Sequence, residues 1–168
     1  MRKYLAVVDR HKATSGKRFL NFFLDRLFIQ AIYYAFFFLF GIAYAIVYGE
    51  GFSAENEDQS FTFNLITFFI YLALSFAYFF FMEYYLGKTI AKYITGTEVI
   101  SIDGNKPTSQ QIIARTFSRA VPFDSLSFLG NNGWHDSWSD TRVINGKDYV
   151  AERQLKEEIS SIGAKEMI

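Results

Sequence analysis

Residues 16–30 read GKRFLNFFLDRLFIQ, and three ionisable side chains, Arg18, Asp25 and Arg26, are set into a stretch that is otherwise mostly Phe, Leu and Ile. A charge at the centre of a bilayer costs about 2.5 to 3.5 kcal/mol on insertion scales, so ionisable residues in such company need partners or a purpose. Arg18 and Asp25 are seven positions apart, two helical turns, and share a helix face at an axial separation of about 10 Å. A bridging water or a third residue is needed to join them. Glu83, near the end of a second apolar run, offers a partner for Arg26. Two readings stand side by side. In one the charges neutralise one another, lock the helices together and snorkel toward the headgroups. In the other Asp25 belongs to a hydrated polar site at the inner leaflet.

Other chemistries find little support. The sequence has no cysteine, which removes disulfides, thiolate metal sites and cysteine nucleophiles. Its only histidines, His11 and His135, are far apart, short of the three protein ligands a catalytic zinc takes, so no metal and no cofactor is expected. No phosphate loop GxxxxGK[ST] occurs, and no nucleophile and base stand at motif spacing. Ser127 or Ser139 with His135 and Asp136 would make a hydrolytic set only if sequence neighbours pointed at one another, which they rarely do. The chain is therefore not expected to be an enzyme. Its 17 basic and 17 acidic residues cancel, and the basic ones border apolar segments and interleave with acids, against nucleic-acid binding.

The elements that must carry these residues are membrane elements. Hydrophobic residues make up 51% of the chain and aromatic ones 20%, gathered in two blocks, which is unlike a soluble domain. Leu27 to Tyr48, with Gln30 its one strongly polar side chain, meets the ~20 residues needed to cross a bilayer, and Phe61 to Leu86 does so again. The expected spans are about 19–48 and 61–86. Ala43-Tyr44-Ala45 resembles a signal cleavage site, but the apolar run is too long and its polar leader too extended, so the first span reads as a retained anchor.

Orientation follows from basic residues. Arg2, Lys3, Arg10, Lys12, Lys17 and Arg18 precede the first span, and Lys88, Lys92 and Lys106 follow the second, while the loop GEGFSAENEDQS has none and is acidic. Both termini are then cytoplasmic and the loop lies outside. The loop reads as a solvated connection, since EF-hand spacing is absent. Matching the cytoplasmic ends of an antiparallel pair puts Asp25 and Arg26 level with Met82 and Glu83, and Gln30 level with about Ser75.

Beyond the spans, Thr95 to Ile102 alternates and ends at the Asp103-Gly104 turn signal, predicting a strand. Thr141 to Ile144 is a second candidate, closed by Asn145-Gly146, and the two would pair in a small cytoplasmic β element. Between them Ile112, Ile113, Phe117 and Val121 fall at helical spacing while Arg115 and Arg119 stand four apart, predicting an amphipathic helix that Pro122 ends or kinks. An interfacial segment over about 108–130 fits, with Arg115 and Arg119 on anionic lipid and Trp134 and Trp138 near the headgroups. Gly130-Asn131-Asn132-Gly133 has the composition of an anion nest. The residues after Tyr149 read as a charged, solvated tail or helix. The expected fold class is thus membrane all-α: a two-span transmembrane helical hairpin with an interfacial amphipathic helix and a small cytoplasmic β element. Residues 1–17 form a basic cytoplasmic leader, 18–149 the membrane domain and 150–168 the tail.

SGKRFLNFFLD, EYYLGKTIAKYITGTEVISIDGNKPT, RTFSRAVPFDSLSFLG and WHDSWSDTRVI, in this order, resemble the RDD family of small bacterial membrane proteins over roughly Ala13 to Ile144. That family is named for an arginine at the start of its first span, an aspartate within it and a second aspartate after the second span; Arg18, Asp25 and Asp136 match them. The resemblance implies an integral protein of the bacterial inner membrane linked to transport, in some members to sodium/proton antiport. Together with Glu83 of the second apolar run, Arg18, Asp25 and Asp136 form the expected polar or ion site, with Arg18 tuning the carboxylates. Two spans cannot enclose a path across a bilayer. A transport role therefore requires a homo-oligomer or a heterologous membrane partner, besides the lipid itself. The alternative is a non-catalytic scaffold or accessory subunit of a membrane complex, using the Phe and Tyr of both spans as packing surfaces.

Overall fold

The computed structural model describes residues 6–49, 60–119, 121 and 133–165. Two helices dominate it. Helix α2 (Ser15–Tyr48) starts at Thr14, whose side chain accepts from the Lys17 N–H, and ends at Gly49, in the left-handed region at φ 74°. At 1.5 Å per residue its 34 residues extend about 51 Å, more than a ~30 Å hydrocarbon core requires. Helix α3 (Ser60–Phe81) continues through a π-helical turn, Met82–Leu86, to Gly87. Both are long and apolar enough to cross a membrane. Large apolar side chains along them are exposed, among them Phe38 at 69% and Phe61 at 78%, which a water-facing surface would not leave contiguous.

The remaining elements gather beside the start of α2 and the end of α3. Helix α4 (Ile90–Thr95) stops at Gly96, φ 68°, whose N–H bonds back to the Lys92 carbonyl and whose left-handed backbone turns the chain into β1 (Thr97–Ser101). β1 pairs antiparallel with β2 (Thr141–Asn145), Val99 opposite Val143 and Ser101 opposite Thr141. The strand pair expected from alternation is thus present, the first strand trimmed at both ends and the second extended to Asn145, but Asn145-Gly146 does not form a turn: Gly146 opens a helix, here α7 (Gly146–Lys165). Helix α5 (Ser109–Ser118) begins with a capping box between Thr108 and Gln111. Helix α6 (Trp134–Trp138) precedes β2.

The basic leader is not merely a leader. Its helix α1 (Ala6–Arg10) puts Val8, fully buried, against Ile100, Ile144 and Tyr149. Lys12 bridges Ile144 at the sheet edge, and Ala13 packs on Val99 and Val143. Helix α5 likewise departs from its expected placement. It ends at Ser118, before Pro122, and its polar face of Gln111, Arg115, Thr116 and Ser118 is buried while Ile113 and Phe117 are exposed. Phe117 meets Phe76 of α3, ring centroids 4.9 Å apart. The acidic loop and Gly130-Asn131-Asn132 lie outside the described residues.

Candidate functional site: a buried charge network beside a cleft

The sequence of the π-helical turn, MEYYL, has one acidic residue, and the turn directs it inward. Glu83 Oε1 accepts from Lys92 Nζ and Arg119 Nη2, each at 2.6 Å, and Oε2 accepts from Arg115 Nε at 3.3 Å. Lys92 comes from α4, Arg115 from α5 and Arg119 from its C-terminal cap, so one carboxylate ties three elements together. Arg115 extends the network: its Nη1 donates to Asp136 Oδ1 at 2.5 Å and to the Thr141 hydroxyl, joining α6 and β2. The side chains of Glu83, Lys92, Arg115 and Asp136 are all at most 4% exposed. Buried charges persist only when paired and hydrogen-bonded, and these are both.

Outside the spans, the electrostatics follow from that packing. Burial pushes the Lys92 ammonium down, and Arg119 and Arg115 add to this against the pull of Glu83. Burial would raise the Asp136 carboxyl, but His135, 3.6 Å away, and Arg115 outweigh it and hold Asp136 below the usual range. For Arg115, burial is likewise outweighed, by Glu83 and Asp136, and the guanidinium holds its proton more tightly than usual.

Asp25 sits apart from that network and is held differently. Its Oδ1 accepts from the Tyr78 hydroxyl at 2.7 Å and the Ala91 N–H at 3.4 Å, and its Oδ2 from the Thr89 hydroxyl at 2.8 Å. Asp25 is 3% exposed, and among the described residues no cation lies in ion-pair range of it. One turn earlier on α2, Asn21 donates to Thr97 at 2.8 Å and accepts from Thr95 at 2.6 Å, fixing α2 to the start of β1.

Between α2, α3, α5 and α6 opens a cleft of about 780 Å³. Arg26, Asp25, Lys92, Arg115, Arg119 and Asp136 line it together with aromatic residues of α3.

Several sequence expectations need correction. Arg26 does not pair with Glu83; its guanidinium lies over the Tyr71 ring, 5.2 Å from the centroid. Asp25 is level with Tyr78, about a turn deeper along α3 than Met82 and Glu83, and the π-helical turn instead presents Glu83 to α4 and α5. Arg18 donates to Ser15 at 3.2 Å, and among the described residues no hydrogen bond or ion pair joins it to Asp25. Arg115 is fully buried and not laid on an outward helix face, and Arg119 is bonded to Glu83 and stacked over Phe79, 4.1 Å from the ring centroid. Trp134 and Trp138, stacked at 5.9 Å and exposed by 40% and 59%, do face outward. His11 bonds Glu152 of α7. Lys92, Thr89 and Tyr78 were missed as partners. Thr89, Lys92 and Thr95 recur every third residue, a weak sign of one polar face on a helix too short for periodicity to stand out.

The profile of one family, described as the RDD family, matches residues 12–145, most of the chain. No curated protein and no solved structure matches it.

Proposed function

We propose that this chain, which belongs to the RDD family, is a membrane domain that serves transport as one component of an oligomer or larger complex, with its polar cleft at the cytoplasmic side of the bacterial inner membrane. In this reading α2 and α3 form the transmembrane hairpin, both termini are cytoplasmic, α5 and the β1–β2 pair lie under the bilayer, and Trp134 and Trp138 meet the headgroups. The observation that carries it is Asp25. Glu83 and Asp136 are matched by arginine and lysine and are committed to structure. Asp25 is buried, faces the cleft and is satisfied by neutral donors, a hydroxyl pair and one amide. A carboxylate so placed is the group able to take up and release a proton or cation without dismantling the ion-pair network.

The test is flux across proteoliposomes reconstituted with the full chain under sodium and proton gradients. Asp25→Asn, which keeps the shape of the side chain, should abolish cation-dependent flux. Absence of any cation or proton flux from the wild type, with or without co-purified partners, would refute the reading.

The exposed aromatic surface of both spans favours the scaffold alternative. A reproducible heterologous partner in mild detergent, with no flux from any preparation, would select it.

A further inference from the structure

The cleft joins two unlike surfaces. Along α3, from Phe79 through Phe76 and Leu72 to Phe68, its wall is apolar over about 17 Å at 1.5 Å per residue. Its lining is cationic where α4 and α5 meet the end of α3. Lys92, Arg115 and Arg119 there face Asp136 and, behind them, Glu83, three positive charges against two, while Arg26 and Asp25 of α2 cancel in the count. Two donors are also left over. Nη2 of Arg115, a residue with no exposed surface, and Nη1 of Arg119 are buried and have no hydrogen-bond partner among the described residues. A buried guanidinium N–H without an acceptor is costly, and arginine forks fit the oxygens of phosphate.

We propose that the cleft binds an anionic phospholipid, its phosphate at Arg115 and Arg119 and one acyl chain along the aromatic wall of α3. Beside the arginines a cation is disfavoured by the charge excess, and uptake of a cation or proton at Asp25 is a separate event. A free anion would satisfy the arginines but leave the rest of the roughly 780 Å³ cleft to a lipid chain in any case, and a zwitterionic lipid would bring no net charge to offset the excess. Selectivity resides in the headgroup, because an acyl chain leaving the bilayer for an apolar wall exchanges one hydrocarbon environment for another. The proposal rests on the membrane placement of the cleft given above, and it does not depend on flux.

The experiment is native mass spectrometry of the full chain, purified in mild detergent and exposed to equal amounts of phosphatidylglycerol and phosphatidylcholine. Phosphatidylglycerol should be retained about tenfold more, since both lipids bring the same phosphate oxygens and only the choline ammonium of phosphatidylcholine adds a cation beside the arginines. Arg119→Gln should bring the ratio toward one while Glu83 keeps Lys92 and Arg115. Should that variant fail to fold, Ala73→Trp narrows the cleft from an exposed position on α3, leaves every charge in place, and should lower retention of both lipids. Asp25→Asn should keep the adduct even where flux is lost, so failure of transport and failure of lipid binding are separable. Equal retention of the two lipids, full displacement by inorganic phosphate at matched concentration, or unchanged adducts in Ala73→Trp would each overturn the proposal.

Discussion

Replacing Glu83 by Gln changes the charge of one buried side chain and almost nothing of its shape, so it isolates what the carboxylate does. The wild-type group faces Lys92 and Arg119 at 2.6 Å and Arg115 at 3.3 Å, with its side chain 2% exposed. Glutamine leaves Arg115 with Asp136 and takes from Lys92 and Arg119 the carboxylate they share, and its amide nitrogen, a donor, must turn toward one of the three cations. Removing one partner of a buried ion network costs about 3 to 5 kcal/mol. At roughly 2 to 4 °C per kcal/mol for a chain of this size, the melting temperature should fall by about 6 to 20 °C. The assay is thermal unfolding in detergent followed by tryptophan fluorescence, since both tryptophans, Trp134 and Trp138, lie on the helix that Arg115 ties down through Asp136. Lys92→Met in the Glu83→Gln background should recover part of the loss, because it removes a cation left without its carboxylate. A single-mutant drop under about 2 °C, or strictly additive effects in the pair, would show that Glu83 does not anchor the hairpin.

Other substitutions follow from the same contacts. Arg26→Gln removes a cation–π contact with Tyr71 and should cost about 0.5 to 2 kcal/mol, whereas Arg115→Gln should be far more severe; equal effects in the same melt would contradict the assignment of partners. Gly96→Ala places a Cβ in open space but at φ 68°, so it should destabilise by about 1 to 2 kcal/mol through the backbone alone. Hydrogen bonds from Lys156 and His11 hold Glu152 at about 2, below its usual 4.5. Because the folded value is the depressed one, this stabilisation is complete above about pH 4.5 and disappears as pH falls through about 2. An NMR titration of Glu152 should show that midpoint, and one near 4.5 would dissolve the tie between α7 and His11.

What the residues alone revealed was set by range. The spans were legible because length and apolar composition are one-dimensional properties, and the Thr97–Ser101 strand because β-branched alternation ran into Asp103-Gly104. Helix α5 shows where such reasoning stops. The spacing of Arg115 and Arg119 against Ile112, Ile113 and Phe117 predicts two unlike faces, but which face turns inward depends on what waits there, and Glu83 waits 32 positions away from Arg115. Depth-matching paired Arg26 with Glu83 because it assumed a regular helix, and the π-helical turn breaks that regularity. Val8 and Ala13 were illegible for a related reason: five-residue α1 is too short to show a period, and its partners Ile100 and Ile144 lie far along the chain.

The central claim is that α2 and α3 cross the bilayer as an antiparallel pair, placing the charge network and cleft on the cytoplasmic side. The absence of cysteine allows a direct measurement, labelling of single-cysteine variants with a membrane-impermeant maleimide. Glu55→Cys, in the acidic loop, should react in intact cells, and Lys147→Cys, at an exposed position of α7, only after the membrane is opened. Labelling of Lys147→Cys from outside, or protection of Glu55→Cys until permeabilisation, would contradict the account.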